Sequence, residues 1–392
     1  AWFDDYCRAG FCADDVRRAG IGEDPAAKFL PLVKQLPLVY QKRLPHKVNT
    51  SILSQPLDFT DLAAKYSDFA TDFIKRQASG DEGGKNAGAP FFLYVPFSHV
   101  HTTNDLQPEE QYAGCAAQKK TERGAFGDAL YEVDNLVGDI VAAIAEKGLT
   151  NDTLILFTGD NGPWMVKNKS SGSPGIMYGR HSGYWNIGKG STWEGGIHEP
   201  GFAHWPGTIA PHTKSSEIVS SMDVLPTLAK LANVPLPANV VYDGRDMSSV
   251  LFDEAGGKSQ HEVLFFYGGA KCPGWKGPSA ARMGAFKAHF ATGPGLSGCA
   301  GCDPVCYCDN PTGDGGTCSP LIFNVLEDPS EAYPLTDPEV TAKFVAALQE
   351  ERRTFTYGKL VAPPDEPGEG PNKYGVCCDR KESGTCDCSG PL

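Results

Sequence analysis

At 392 residues the chain has room for one large α/β domain, a smaller companion and a sizeable core. Hydrophobic residues make up 41% and charged residues 21%, the balance of a globular protein rather than a disordered one. Lys and Arg number 35 against 48 Asp and Glu, a formal net charge of -13, which argues against a nucleic-acid partner because phosphate contacts need clustered cations. The longest strongly apolar run, residues 91–97, is far too short to cross a bilayer, so no membrane span is expected.

In chain order, the first fifty residues show no clean period and hold Cys7 and Cys12 in a polar stretch, where each is the other's nearest partner for a disulfide. Asp58 stands as N-cap before a helix predicted over 59–76, with Phe59, Leu62, Tyr66, Phe69 and Phe73 at helical spacing. A Gly-rich loop over 79–88 leads to Pro90 and the run Phe91-Phe92-Leu93-Tyr94-Val95, predicted as a buried strand ending at Ser98-His99-Val100-His101. Residues 126–147 are the clearest helix, with Leu130, Val133, Val137, Ile140 and Ile144 on one face and Gly148 as its stop. Residues 153–158 read as a second apolar strand, running into Gly159-Asp160-Asn161-Gly162. Strand, helix and strand with short connections predict a parallel sheet covered by helices, whose ligands gather at the carboxyl ends of the strands. His101 and Asp160-Asn161 both stand there.

Residues 162–196 are loop-like, and 221–232 read as a short helix containing Pro226. Beyond about residue 256 short strands are expected at 263–267, 285–292 and 321–325, followed by a helix over 338–353 with Asp337 as N-cap and Pro338 in the first turn. Most of the 13 Cys lie in this part, so we expect a domain over 1–255 and a smaller disulfide-stapled α+β unit over 256–392. Cys299, Cys302, Cys306 and Cys308, with Cys318 beyond, are too crowded for paired zinc knuckles and read as disulfides of open connectivity. Asn-x-Ser/Thr sequons at Asn49, Asn151 and Asn168 join the cysteines in pointing to an oxidising, glycosylating compartment.

Three positions offer chemistry, each with a plainer alternative. Asp160-Asn161 presents hard oxygen ligands for a divalent cation, although Asn-Gly is also a strong turn signal. His101 at a strand tip suits a general acid, or merely ends the strand. Lys189 between two glycines suits an anion, or is a solvated loop lysine.

Taken together, these segments resemble the type I, formylglycine-dependent sulfatases. Residues 154–163 (LILFTGDNGP) are similar to that family's strand and Asp-Asn-Gly loop, and 188–200 (GKGSTWEGGIHEP), followed by Trp205-Pro206-Gly207, to its second signature. Residues 90–101, 222–228 (MDVLPTL), 243–246 (DGRD) and Asp328-Pro329 with Glu331 match in order. The resemblance implies an alkaline-phosphatase-like sandwich with a mixed, largely parallel central sheet, plus a smaller C-terminal α+β unit with an antiparallel sheet. It further implies a sulfuric ester hydrolase acting on a sulfated small molecule or glycan, secreted or lysosomal, with homo-oligomers allowed. Asp160 and Asn161 would be ligands of Ca²⁺ (or Mg²⁺), Lys189 would bind a sulfate oxygen, and His101 would bind the ester oxygen and protonate the leaving group. A cation, an ammonium and an acid at the bridging oxygen lower the barrier because negative charge develops there.

The departures are as specific as the matches. His198 stands where the family has Arg, and Thr102-Thr103 follow His101 where an aromatic or small residue and Pro are usual. None of the 13 Cys is followed by x-Pro-x-Arg, the motif from which the formylglycine nucleophile is made. The family's first Asp-Asp metal pair is also missing, since Asp4-Asp5 and Asp14-Asp15 lack an apolar strand before them. The expectation is an N-terminally incomplete sulfatase, inactive as it stands. The alternatives are a non-catalytic secreted sulfatase-like glycan-binding protein, or a phosphate or phosphonate ester hydrolase of the same superfamily.

Overall fold

The computed structural model describes residues 38–44, 47–54, 62–79, 89–101, 121–165, 171–179, 181, 188–253, 256–268, 272, 275, 277–293, 305–308 and 318–355. The expected Cys7–Cys12 bridge, the Asp58 cap, Asn168, Cys299 and Cys302 lie outside the described residues. The chain forms two compact units, one of Ala1–Ala143 with Thr356–Leu392 and one of Ile144–Phe355.

In the first unit, β1 (Leu38–Leu44) and β2 (Lys47–Ser54) form an antiparallel ladder with Leu44 opposite Lys47, and the sequon Asn49 lies on β2. Helix α1 (Leu62–Ser79) buries Leu62, Ala63, Ala70 and Ile74. Its stripe is turned toward the small residues, so Phe69 is 51% exposed while Tyr66 and Phe73 meet Phe97 and Phe91 edge-on at 5.8 and 5.7 Å. The run at 91–95 is not the buried strand expected: it pairs with no strand among the described residues, and Phe92 and Tyr94 are 70% and 75% exposed. Its inward side chains are spent on α1 rather than on a ladder neighbour. Helix α2 (Gly124–Glu146) buries Ala129, Val133, Leu136, Ala143 and Ile144 together with Asp128 and Glu132, leaving Leu130 exposed. The buried face is shifted from the apolar line because Glu132 turns inward to meet His99.

In the second unit, Gly148 ends that helix in the left-handed region at φ 70°, where glycine carries no Cβ penalty. Strand β3 (Ile155–Thr158) follows, and it pairs antiparallel with β4 (Gly201–His204), Thr158 opposite Gly201. This corrects the parallel ladder expected for this strand: every ladder among the described residues is antiparallel, and the segment between β3 and β4 returns beside its own starting strand instead of crossing over.

A 3-10 turn at Ser221–Asp223 leads into α4 (Val224–Leu231), after the short helix α3 (Glu194–Ile197). Pro226 sits in the first turn of α4, where its missing N–H leaves no intrahelical bond unmade. Asp223, 1% exposed, accepts from the Ser220 and Arg245 amides at 2.8 and 2.7 Å and bonds His261 at 2.7 Å, so the motifs at 222–228 and 243–246 form one buried knot. Helix α5 (Ser248–Phe252) follows.

Strands β5 (Leu264–Phe266), β6 (Ala280–Met283) and β7 (Phe286–His289) come next, then β8 (Ala291–Thr292) paired with β9 (Val305–Cys306), and β10 (Leu321–Asn324). The four-stranded sheet runs β10-β7-β6-β5. Helix α6 (Pro338–Thr354) covers it, packing Phe344 and Leu348 against Ala281, Ala288, Phe290 and Ile322. Asp337 caps α6 as expected, accepting from the Glu339 and Val340 amides at 2.9 and 3.0 Å. Disulfides Cys272–Cys306 and Cys308–Cys318 staple this layer, so Cys306, Cys308 and Cys318 are bridged. Among the described residues no helix is long and apolar enough to cross a membrane.

Candidate active site

The site in the second unit is built by two segments far apart in sequence that bond through their backbones. Strand β3 ends at Thr158 and delivers Gly159-Asp160-Asn161-Gly162. The Asn161 amide donates to Asp160 Oδ1 at 2.8 Å, and Asn161 Nδ2 donates to the Gly162 carbonyl at 3.0 Å. Asp160 is exposed and Asn161 half-buried, and these bonds do not use Asp160 Oδ2 or the Asn161 side-chain carbonyl oxygen, both hard acceptors. Gly162 N then donates to the Gly196 carbonyl at 3.1 Å, and Lys189 N to the Pro163 carbonyl at 2.9 Å. Only glycine allows the closest approaches: a Cβ at Gly162 would overlap the Gly195 carbonyl, and one at Gly188 the Pro163 carbonyl. The zipper therefore brings the Asp160-Asn161 loop and Lys189 onto one surface, and the Lys189 ammonium lies 5.8 Å from the Trp164 ring centre.

Sequence reasoning missed Glu199 as a member of this surface. A Cβ on Gly159 would overlap its Oε2, so the carboxylate lies directly against the Asp160 loop. Its Oε1 is buried without a hydrogen-bond partner among the described residues. Burial first, and then the Asp160 charge, push the Glu199 carboxyl above its usual range, with His198 opposing. The signal was present, since Glu199 lies within the second signature, but it was read only as part of that motif. Two carboxylates, a carboxamide and one orphaned oxygen fit part of a hard-cation site. They do not complete one: among the described residues no group of three or more His, Cys, Asp or Glu is placed to hold a metal.

The first unit holds the two histidines. His101 is half-buried, and its amide donates to the Ser98 carbonyl at 3.0 Å to close a turn. The side chain of His99 is fully buried, with Nε2 3.0 Å from Glu132 Oε2. Burial pulls the His99 pKa down against the pull of Glu132. His99 thus takes a structural place, bonded to Glu132 in the interior.

Five residues beyond Lys189, Glu194 belongs to a cluster of buried charges that sequence reasoning did not foresee. Lys287, 0% exposed, reaches Glu194 Oε1 at 2.8 Å and Glu331 Oε1 at 3.3 Å. Glu331 Oε1 also meets His289 Nε2 at 2.7 Å, while its Oε2 accepts from the Glu194 amide at 2.7 Å. The Trp193 ring packs on His289 with centroids 4.3 Å apart. Burial, the largest single influence, opposes ionisation of both carboxyls, but Lys287 together with His198 and Arg282 at Glu194, and together with His289 at Glu331, outweighs it, so both are held below the usual range. Burial keeps His289 below its ordinary value. His198 Nδ1 lies 2.9 Å from Glu194 Oε2, so the residue that departs from the family's Arg still bonds this buried carboxylate. The cluster ties α3, and with it the Lys189 loop, to β7 and to the turn at 328–331.

With this geometry in view, comparison with known proteins is specific. Residues 42–234 match the Sulfatase family profile, and residues 259–388 match the profile described as the C-terminal region of aryl-sulfatase. The chain is 37% identical over 309 residues to arylsulfatase A of Bos taurus, covering 78% of this chain and 55% of that protein. It is 36% identical over 294 residues to steryl-sulfatase of Rattus norvegicus, covering 73% and 46%. The chain thus spans about half the length of the curated relatives it matches. Among solved structures, the PsFucS1 sulfatase from Pseudoalteromonas sp. aligns with a TM-score of 0.58 and 26% identity over 79% of this chain and 58% of that one. A protein from a Bacteroides thetaiotaomicron glycosaminoglycan-metabolism locus aligns with a TM-score of 0.54 at 20% identity, covering 84% and 62%, a likeness of fold alone. The alkaline-phosphatase-like fold expected from the sequence is therefore present, and with both signature segments assembled on one surface and two family profiles accounting for most of its length, the chain belongs to the sulfatase family.

Proposed function

We propose that the chain carries the sulfate-binding, leaving-group and partial metal machinery of a sulfuric ester hydrolase that removes sulfate from an aryl or carbohydrate ester. The observation that carries this reading is the backbone zipper, in which the segment bearing Asp160 and Asn161 is bonded to the segment bearing Lys189. The names of its relatives, arylsulfatase A and steryl-sulfatase, support it. In this reading the Asp160 carboxylate and the Asn161 carboxamide oxygen hold Ca²⁺ (or Mg²⁺), with Glu199 adding negative charge beside them. The Lys189 ammonium binds a sulfate oxygen, and His101 supplies the proton that the departing oxygen needs. The family's formylglycine contributes a covalent nucleophile, and no Cys-x-Pro-x-Arg stands among the 13 Cys here from which to make it. The same reading treats 1–255 as a partial sulfatase domain and 256–392 as its C-terminal unit; the two family profiles, which part between 234 and 259, support that division. It also places the protein in the secretory pathway, secreted or lysosomal, which the bridged cysteines and the exposed sequon Asn151 support.

The test is turnover of p-nitrophenyl sulfate. The 392-residue chain should show none above background. The same chain joined behind a segment bearing Cys-x-Pro-x-Arg, with formylglycine verified by mass spectrometry, should hydrolyse it, and His101→Ala or Lys189→Ala should each lower the rate by about 100-fold or more. A restored, formylglycine-bearing protein that cleaves no sulfate ester overturns the proposal. So does turnover by the chain alone that His101→Ala abolishes.

A further inference from the structure

Glu331 holds a backbone conformation that its side chain has to justify. Its φ is 51°, in the left-handed region that glycine enters without penalty and other residues seldom occupy. The residue is nevertheless 0% exposed. The turn around it is prebuilt: Asp328 Oδ2 accepts from the Ala332 and Tyr333 amides, both at 2.8 Å, and the Asp328 carbonyl from the Glu331 amide at 3.0 Å. The Glu331 carbonyl accepts in turn from the His181 amide at 3.0 Å. A strained residue persists in the interior only where its surroundings over-determine it, and what glycine would lack at this position is the carboxylate.

That carboxylate divides its two oxygens between different tasks. Oε1 is held by His289 Nε2 at 2.7 Å and by the Lys287 ammonium at 3.3 Å. Oε2, so aimed, accepts from the Glu194 amide at 2.7 Å. Helix α3 begins at Glu194 and is four residues long, and its cap residue Trp193 makes no side-chain capping bond. Glu331 supplies the missing acceptor from 137 residues away. The constraint runs on to Lys189 through short bonds. Gly196 N donates to the Trp193 carbonyl at 2.8 Å, and Ser191 donates to the Gly188 carbonyl through its amide at 3.1 Å and its hydroxyl at 2.8 Å. A Cβ on Gly196 would overlap the Gly188 and Ser191 carbonyls, so the first turn of α3 packs on the backbone that flanks Lys189.

We infer that Glu331 is a positioning residue for sulfate binding: its bond to the Glu194 amide fixes the 188–196 loop in the conformation that presents Lys189. The inference rests on the reading of Lys189 as the sulfate ligand, and it adds to that site a support drawn from a turn more than a hundred residues away. A role confined to the buried ion pairs has a different consequence, because then only the charge beside Lys287 matters and the acceptor for the amide does not. Glu331→Gln and Glu331→Met separate the two. Both remove the same charge, but the glutamine side-chain oxygen keeps an acceptor in reach of the Glu194 amide, whereas methionine, of similar length, offers only a weakly accepting thioether.

The experiment is calorimetric titration of the 392-residue chain and its variants with inorganic sulfate at constant ionic strength, paired with amide hydrogen exchange over 188–196. Glu331→Met should weaken sulfate binding about tenfold, the effect of one lost hydrogen bond, and speed exchange across 188–196. Glu331→Gln should keep the affinity within about twofold of the unaltered chain and leave that exchange as it was. Lys189→Ala should abolish binding without changing the exchange. Equal sulfate affinities in the Gln and Met variants, or exchange at 188–196 that Glu331→Met leaves unaltered, overturns the inference. If Glu331→Met loses the native melting transition, Glu331→Asp carries the test with the same expected losses, since it keeps the charge beside Lys287 but stops one methylene short of the amide. An unaltered chain that binds no sulfate, or binding that survives Lys189→Ala, overturns the Lys189 reading instead, and the positioning of the loop by Glu331 then stands or falls on the exchange.

Discussion

Two neighbouring regions of the second unit use the same segment, residues 188–198, in opposite ways. On the surface, Asp160 is exposed and Lys189 is half-buried, on segments that the glycine zipper joins. Below, Lys287 and Glu331 are 0% exposed and share partners within 2.7–3.3 Å. The buried charges are completed by the fold; the surface charges wait for a ligand to complete them. Perturbation follows that line, since Glu331 is held well below its ordinary range by its partners while Glu199, beside Asp160 with an orphaned oxygen, is pushed up. A carboxyl stabilised in its ionised form reads as structure, and one penalised by a like charge reads as a site awaiting a cation.

The comparison breaks most visibly at its two lysines. Lys287→Met should cost about 3–5 kcal/mol in chemical denaturation, because it strands Glu194 and Glu331 without a cation in the interior. Lys189→Met should stay within about 0.5 kcal/mol, as surface substitutions do, yet abolish any stabilisation of the chain by added sulfate. Equal destabilisation by the two would erase the distinction. Next in size, Gly162→Ala should cost about 1–3 kcal/mol by forcing a methyl group into the Gly195 carbonyl. It should also reduce calcium binding measured by calorimetry, because it displaces the loop bearing Asp160; unaltered stability and calcium binding would mean that the zipper does not position the loop.

The pH dependence sharpens the contrast further. His289 has a folded pKa below its ordinary 6.5, so between the two values the unfolded chain takes up a proton that the folded chain refuses. Stability must then fall as pH drops below about 6.5. Glu331 acts in the same direction at lower pH: its pKa is depressed, so its contribution is present above the ordinary carboxyl value and lost as pH falls through the folded one. His289→Gln should flatten the decline in denaturation midpoint between pH 7 and 5, and an unchanged slope would show that His289 is not held neutral. The smallest effect on stability belongs to Asp160→Ala, within about 0.5 kcal/mol in calcium-free buffer. Its calcium affinity, by the same calorimetry, should fall further than that of Asn161→Ala, since a full charge is lost rather than a carbonyl dipole. Calcium binding unaffected by Asp160→Ala would reduce Asp160-Asn161 to a turn.

Local signals were legible wherever a short stretch of chain decides its own conformation. Gly148 ends its helix, Asp337 caps the helix at Pro338–Thr354, and the crowded cysteines at 306, 308 and 318 are bridged rather than zinc-bound. The run at 91–95 failed as a buried strand because an apolar sequence supplies side chains, whereas a ladder needs a partner elsewhere in the chain. The same ignorance of partners hid the direction of the strand at 155–158 and the inward turn of Glu132. Cys272 was counted but not matched to Cys306, because spacing does not reveal which thiols the fold brings together.

The sequence by itself determined the family and singled out the candidate residues Asp160, Asn161 and Lys189, because motif spacing is a one-dimensional property, as is the absence of Cys-x-Pro-x-Arg. Only the tertiary structure decided which charges face water and which are buried against each other. Lys287 and Lys189 are alike as letters in the sequence; one is surrounded by Glu194 and Glu331, drawn from positions 93 residues before it and 44 after, and the other is held out by a zipper of glycines. Burial and pairing are sums over neighbours in space, and a linear pattern does not carry those neighbours.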